Sequence, residues 1–256
     1  TSEDGRENVS RWQFGTWDET GRFIGLALLV GAYRGLGYGE SVGRLIEDQG
    51  LVVPGDDELA AAASRFDADP ETAAAAIELR AARREFAVPA GRLTVAHPHG
   101  ALSVQAAACR LGIPFTGHPM IGHDIIYAHP LVSGAAVGRT GMRDFLRFAG
   151  SVSRIEGGVY LSVGSAVMSP MIFEKALSMA QNLALQAGPA ISGHFILVVD
   201  IAPSAWDWSR DGEPPADHPA YYMRWCKTFS RMGGTLAYLP ADNRRFFPAL
   251  LAALGR

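Results

Sequence analysis

The chain has 256 residues, 48% of them hydrophobic and 19% charged, enough to bury a proper core as one large domain or two small ones. A formal net charge of -3 gives no electrostatic reason to bind nucleic acid or an anionic membrane surface. The longest apolar run, Ile24 to Val30, is too short to span a bilayer, and two cysteines, Cys109 and Cys226, make no disulfide framework and suit a reducing cytoplasm. The chain opens at Thr1 without a methionine, in a polar stretch unlike a signal peptide, so a segment missing upstream is expected.

In chain order, residues 15 to 47 read as one or two helices. Phe23, Leu26, Ala27, Val30 and Leu36 recur on a 3.6 period, and Gly35, Gly37 and Gly39 interrupt it. Asp69-Pro70-Glu71 begins an alanine-rich helix through Ala82, with Asp69 as its cap and Pro70 in its first turn. Leu93 to Ala96 reads as a short buried strand ending at His97-Pro98-His99-Gly100. A helix over 101 to 111 follows, and Ile113-Pro114-Phe115 opens the next strand. Thr140 to Val152 reads as a helix leading into the strand Val159 to Val163. Gly164-Ser165 then turns into a helix over 170 to 187, and Phe195 to Val199 is a continuous apolar strand. Pro203 to Pro219 is a long irregular stretch, polar and aromatic. A last strand near Thr235 to Tyr238 precedes a helix from Phe246. Helices alternating with short, wholly apolar strands predict an α/β fold: a mostly parallel sheet, Rossmann-like, with helices on both faces. In such sheets ligands sit at the carboxyl ends of the strands.

Several groups of residues are equipped for chemistry. Gly157-Gly158 before one strand and Gly164-Ser165 after it place small residues where a strand meets a turn. There, backbone amides favour an anion and a pyrophosphate comes close, or the glycines serve the chain alone. Five of the seven histidines (His97, His99, His118, His123 and His129) fall within 33 residues. A metal site using His97, His99, His123 and Asp124 is one reading; a general base at a nucleotide pocket, or histidines paired with loop backbone, are others. Asp124 and His129 bracket Ile125-Ile126-Tyr127 and are expected to face one cavity. The loop Trp206 to Glu213 interleaves carboxylates with aromatics, which suits an organic cation or a solvated turn.

Only two of the 23 basic residues are lysines, Lys175 and Lys227. Lys227 follows Trp225 and Cys226, and Ala241-Asp242-Asn243 begins fourteen residues later. A lysine there either packs its stem on the tryptophan with its head in water or, once desolvated, loses its proton and becomes an amine nucleophile, as arginine cannot.

Taken together, these pieces resemble the deoxyhypusine synthase family and its bacterial relatives, clearly over residues 90 to 256. Ile113-Pro114-Phe115 with His123-Asp124-Ile125 and Tyr127-Ala128-His129 is similar to a family segment that gives an acid and a histidine to an amine pocket. Gly157 to Ser165 sits where the family has its glycine-rich NAD strand. Trp225-Cys226-Lys227 resembles its W-G-K, and Ala241 to Pro248 its "ADASLVFP". Thr1 to Asp4 and the helix from Gly15 to Gly39 look like the bacterial members. Two departures stand out: Pro214 falls where a second acid is expected, and the family's first NAD-contacting segment has no counterpart.

The resemblance implies a single domain over 1–256 that binds NAD and transfers an alkylamine through an imine on a lysine. Lys227 would be the imine-forming lysine, His129 the base and Asp124 the acid. Gly157, Gly158, Gly164, Ser165, Asp200, Ala241, Asp242 and Asn243 would hold NAD. Trp225, Asp207, Asp211 and His123 would hold the amine. It further implies a homo-oligomer, a tetramer whose sites form between subunits. Two other functions stay open: a histidine-rich metal-dependent hydrolase, and a nucleotide-binding or assembly protein without catalysis.

Overall fold

In a computed structural model, residues 10–12 and 17–255 are described. Thr1 to Asp4 and Gly15, on which part of the family likeness rests, lie outside them. The chain divides into two compact units, Thr1–Phe145 and Leu146–Arg256.

The first unit is mainly helical. Its elements are α1 (Trp17–Tyr33), α2 (Tyr38–Glu47), β1 (Gly50–Val53), α3 (Asp56–Ala63), α4 (Pro70–Glu85), β2 (Gly91–Thr94), α5 (Val104–Arg110) and α6 (Gly134–Val152), within which the boundary falls. Helix α1 is buried from Leu26 to Ala32, as its nearly unbroken apolar run requires, and its core includes Leu59, Leu79 and Ile126. Gly35, at φ +73°, separates α1 from α2. Helix α4 starts as its sequence dictates, the Asp69 carboxylate accepting the Thr72 N–H at 3.2 Å with Pro70 in the first turn.

Two expectations fail here. The strand expected over Leu93 to Ala96 is β2, largely exposed and paired antiparallel with β1 rather than lying inside a parallel sheet. Ile113-Pro114-Phe115 forms no strand. Proline offers no N–H to a ladder, and the Phe115 carbonyl instead lies so close to Gly39 that a Cβ there would be 2.1 Å away.

The second unit holds β3 (Val159–Val163), α7 (Met168–Ala187), β4 (Phe195–Asp200), α8 (Trp208–Asp211), α9 (Cys226–Ser230), β5 (Thr235–Pro240) and α10 (Asn243–Ala253). The strands form a parallel sheet in the order β3-β4-β5, with Tyr160 opposite Ile196 and Ile196 opposite Leu236. On the face carrying these residues, Tyr160 stacks on Phe173 of α7 at 4.1 Å, and Phe229 of α9 packs beside both. The opposite face is apolar and only partly covered: Val159 is 61% and Leu161 40% exposed on β3, while Val199 on β4 is buried. The chain is thus mixed α/β, with one parallel sheet and one antiparallel pair among the described residues. No helix among the described residues is long and apolar enough to cross a membrane.

Candidate functional site

Because β3, β4 and β5 are parallel and in register, their carboxyl ends share one edge. The Gly164 N–H donates to the Val199 carbonyl at 3.1 Å, and the Ala241 N–H to the Asp200 carbonyl at 2.9 Å. Gly164 has φ +70°, and a Cβ on it would lie 3.1 Å from the Asn243 amide nitrogen, so the two turns are closely apposed. Ser165 Oγ accepts the Ser169 N–H at the start of α7. Gly164, Ser165, Asp200, Ala241, Asp242 and Asn243 therefore do come together. Gly157 and Gly158 do not. They lie at the amino edge, where Gly157 N–H donates to the Gly193 carbonyl and the Gly158 carbonyl accepts from Phe195. The length of β3 separates them from Gly164 by roughly 20 Å. A glycine before a strand and one after it belong to opposite edges, so no single phosphate meets both.

Lys227 lies in this same unit. Arg224 and Trp225 just before it have left-handed backbones, at φ 46° and 55°. Such conformations cost on the order of 1–3 kcal/mol each and persist only where the surroundings fix them. Asp200 supplies the fixing contact: its side chain is 8% exposed, accepts the Ala202 N–H and pairs with Arg224 at 3.0 Å. Cys226 is fully buried, and burial pushes its thiol up to about 12, which makes it a packing residue rather than a nucleophile. The Lys227 ammonium then points among three rings, 4.1 Å from the centroid of Tyr222, 4.7 Å from Tyr221 and 5.8 Å from Trp225. Such faces attract a cation. Beyond them Glu213 is gripped by Arg231, which holds its carboxyl below the usual range, and Arg231 also donates to the Tyr221 hydroxyl.

The expected substrate acids of this unit are engaged locally. Asp207 caps α8 and accepts from the Ser209 hydroxyl at 2.6 Å, which with the Arg210 N–H lowers its pKa. Asp211 is held low by Arg210. Asp242 caps α10 and is drawn down to about 2 by Arg244. Tyr221, Tyr222, Arg224 and Arg231 are neighbours that sequence reasoning did not single out, whereas Glu213 belongs to the acid–aromatic loop that it did. The density of aromatics before Lys227 was a signal, but their spacing from it follows no helical or strand period.

Asp124, His123 and His129 belong to the first unit. Asp124 and His123 line a cavity of about 360 Å³ with Tyr38, His118 and Tyr127. Tyr38 is pushed up to about 12, chiefly by burial and then by the Asp124 charge; the same causes, in the same order, raise Tyr127. Burial lowers His118. His129 does not share this cavity with Asp124, contrary to expectation. It is buried against Gly21 of α1, and its Nδ1 accepts the Leu131 N–H at 3.1 Å. The intervening Ile125–Ala128 turn is a 3-10 helix, and at three residues per turn positions five apart diverge. His97 faces the Val95 carbonyl, and among the described residues no group of three or more His, Cys, Asp or Glu is placed to hold a metal ion.

No protein-family model, curated protein or solved structure matches this chain.

Proposed function

We propose that the chain is an NAD-dependent enzyme acting on a small amine through an imine on Lys227, as its resemblance to deoxyhypusine synthases implies. The observation that carries this reading is the setting of Lys227. It follows two left-handed residues anchored to a buried aspartate at the carboxyl edge of a parallel sheet, and its head lies among three aromatic rings. The second unit is read as a Rossmann-like NAD-binding layer. Gly164, Ser165, Asp242 and Asn243 would hold NAD at that edge, where Gly164 leaves the turn without a side chain beside Asn243. When bound, NAD supplies a hydride acceptor.

The remaining roles belong to the chain. The rings around Lys227 offer a substrate ammonium the same faces that hold the lysine's own. The Lys227 amine attacks the substrate imine carbon after giving up its ammonium proton to solvent. Its Nζ–C bond forms, the C–N bond to the leaving amine breaks, and that amine departs with the proton. Asp124, His123 and Tyr127 form a second acid–aromatic surface suited to a cation, on the first unit.

Borohydride trapping in the presence of NAD and polyamines tests this. A mass adduct on Lys227 is expected, absent in both Lys227→Ala and Lys227→Arg, since arginine keeps the charge but does not attack. An adduct confined to Lys175, or one that persists in Lys227→Ala, removes the mechanism. Tight NAD binding with no turnover of any amine would instead mark a nucleotide-binding protein without catalysis.

A further inference from the structure

The first unit holds a second cavity that this chemistry does not use. It has a volume of about 410 Å³ and opens between α1, α2, β1 and β2. Its depth is apolar: Ala27, Val30, Leu45 and Leu51 line it and are buried. Its rim is cationic. Arg34 arrives from the end of α1, Arg44 from α2 and Arg92 from β2, against one lining carboxylate, Asp48.

Each guanidinium is held in place without being used up. Arg34 pairs with Glu58 at 2.8 Å and Arg44 with Glu40 at 2.8 Å, both partners lying outside the cavity lining and both pairs partly exposed. Exposed pairs of this kind contribute little, so an arriving anion exchanges for them readily. Arg92 donates to the Asp48 backbone carbonyl, a neutral acceptor, and forms no ion pair among the described residues. Three planar forks arriving from three elements match the several oxygens of one dianion better than a single carboxylate would. A volume of this size also accommodates an organic group beneath that anion.

We propose that this cavity binds a small phosphate monoester, with the phosphate on Arg34, Arg44 and Arg92 and an apolar body against Ala27, Val30, Leu45 and Leu51. Calorimetric titration of the full chain with phenyl phosphate tests it, with inorganic phosphate, benzoate and benzyl alcohol as comparisons. Phenyl phosphate should bind saturably, tighter than about 1 mM, and at least about tenfold tighter than any comparison. Arg44→Gln and Arg92→Gln, both surface changes, should each weaken it about tenfold at an unchanged melting temperature. Amide shifts on titration should centre on Ala27 and Leu51. The proposal is overturned by absent saturation, by equal binding of any comparison compound, or by full affinity in both arginine variants.

Discussion

Asp144 on α6 shows how much one buried carboxylate organises. It is fully buried, and its Oδ2 accepts the N–H of Gly39 at 2.7 Å and of Gly117 at 2.8 Å, while Gly37 packs too closely against it to admit a Cβ. Asp144→Ala leaves the buried Gly39 N–H and the half-buried Gly117 N–H without this acceptor and should cost about 2–4 kcal/mol in urea unfolding. Asp144→Asn keeps one acceptor oxygen and should cost less. His194 makes the opposite demand. It is 2% exposed, packs on Phe173 and the Gly234 backbone, and among the described residues neither ring nitrogen has a hydrogen-bond partner. Burial lowers its pKa below 6.5, with Glu156 opposing the shift. The folded chain therefore binds this proton less readily than the unfolded chain, and unfolding takes up a proton below about pH 6.5. Stability should fall as the pH drops from there toward the lower folded value. His194→Phe should flatten that part of the profile; an unchanged slope would exclude His194 as its source.

At the scale of elements, what was legible in the sequence was local. The parallel strands, the capped α4 and most of α7 follow from short apolar runs, a cap and a proline, which act within a few residues. The hairpin-like pairing of β1 with β2 was not legible, because Gly50 meets Thr94 across two intervening helices and each strand has only four residues. The glycines near 37 and 39 were legible as interruptions, but their cause is distant: Asp144 and the Phe115 carbonyl. The site shows the same division. Lys227 stood out by the scarcity of lysine, and Asp200 and Asn243 entered only through the family resemblance, whereas the left-handed turn at Arg224 and Trp225 has no glycine to announce it. Gly39→Ala should separate local from distant causes. Its Cβ meets a backbone oxygen that has nowhere to go, so it should destabilise by about 1–3 kcal/mol or more. At Gly55, where nothing lies within 4 Å and φ is -75°, alanine should be close to neutral. Equal effects of the two changes in thermal unfolding would show that docking of the Phe115 segment on α2 is unimportant.

At the scale of the whole molecule, the surface of the second unit poses a solvation problem that its charge does not solve. Parallel sheets are ordinarily buried on both faces, because their side chains alternate between two layers that are both apolar. Here Val159, Leu161 and Leu239 lie on one face of the β3-β4-β5 sheet and are exposed, as are Leu183 and Leu185 near the end of α7. With a formal net charge of only -3, mutual repulsion does little to keep copies apart. Self-association is the expected remedy, in line with the tetramer that the family resemblance implies. Light scattering should therefore give a mass several times that of the chain. Replacing Val159 and Leu161 together by threonine keeps strand propensity while removing apolar area, and should shift the assembly toward monomer with the fold intact. A monomer at every concentration, or an oligomer indifferent to the double change, would show that this sheet face is not the contact between copies.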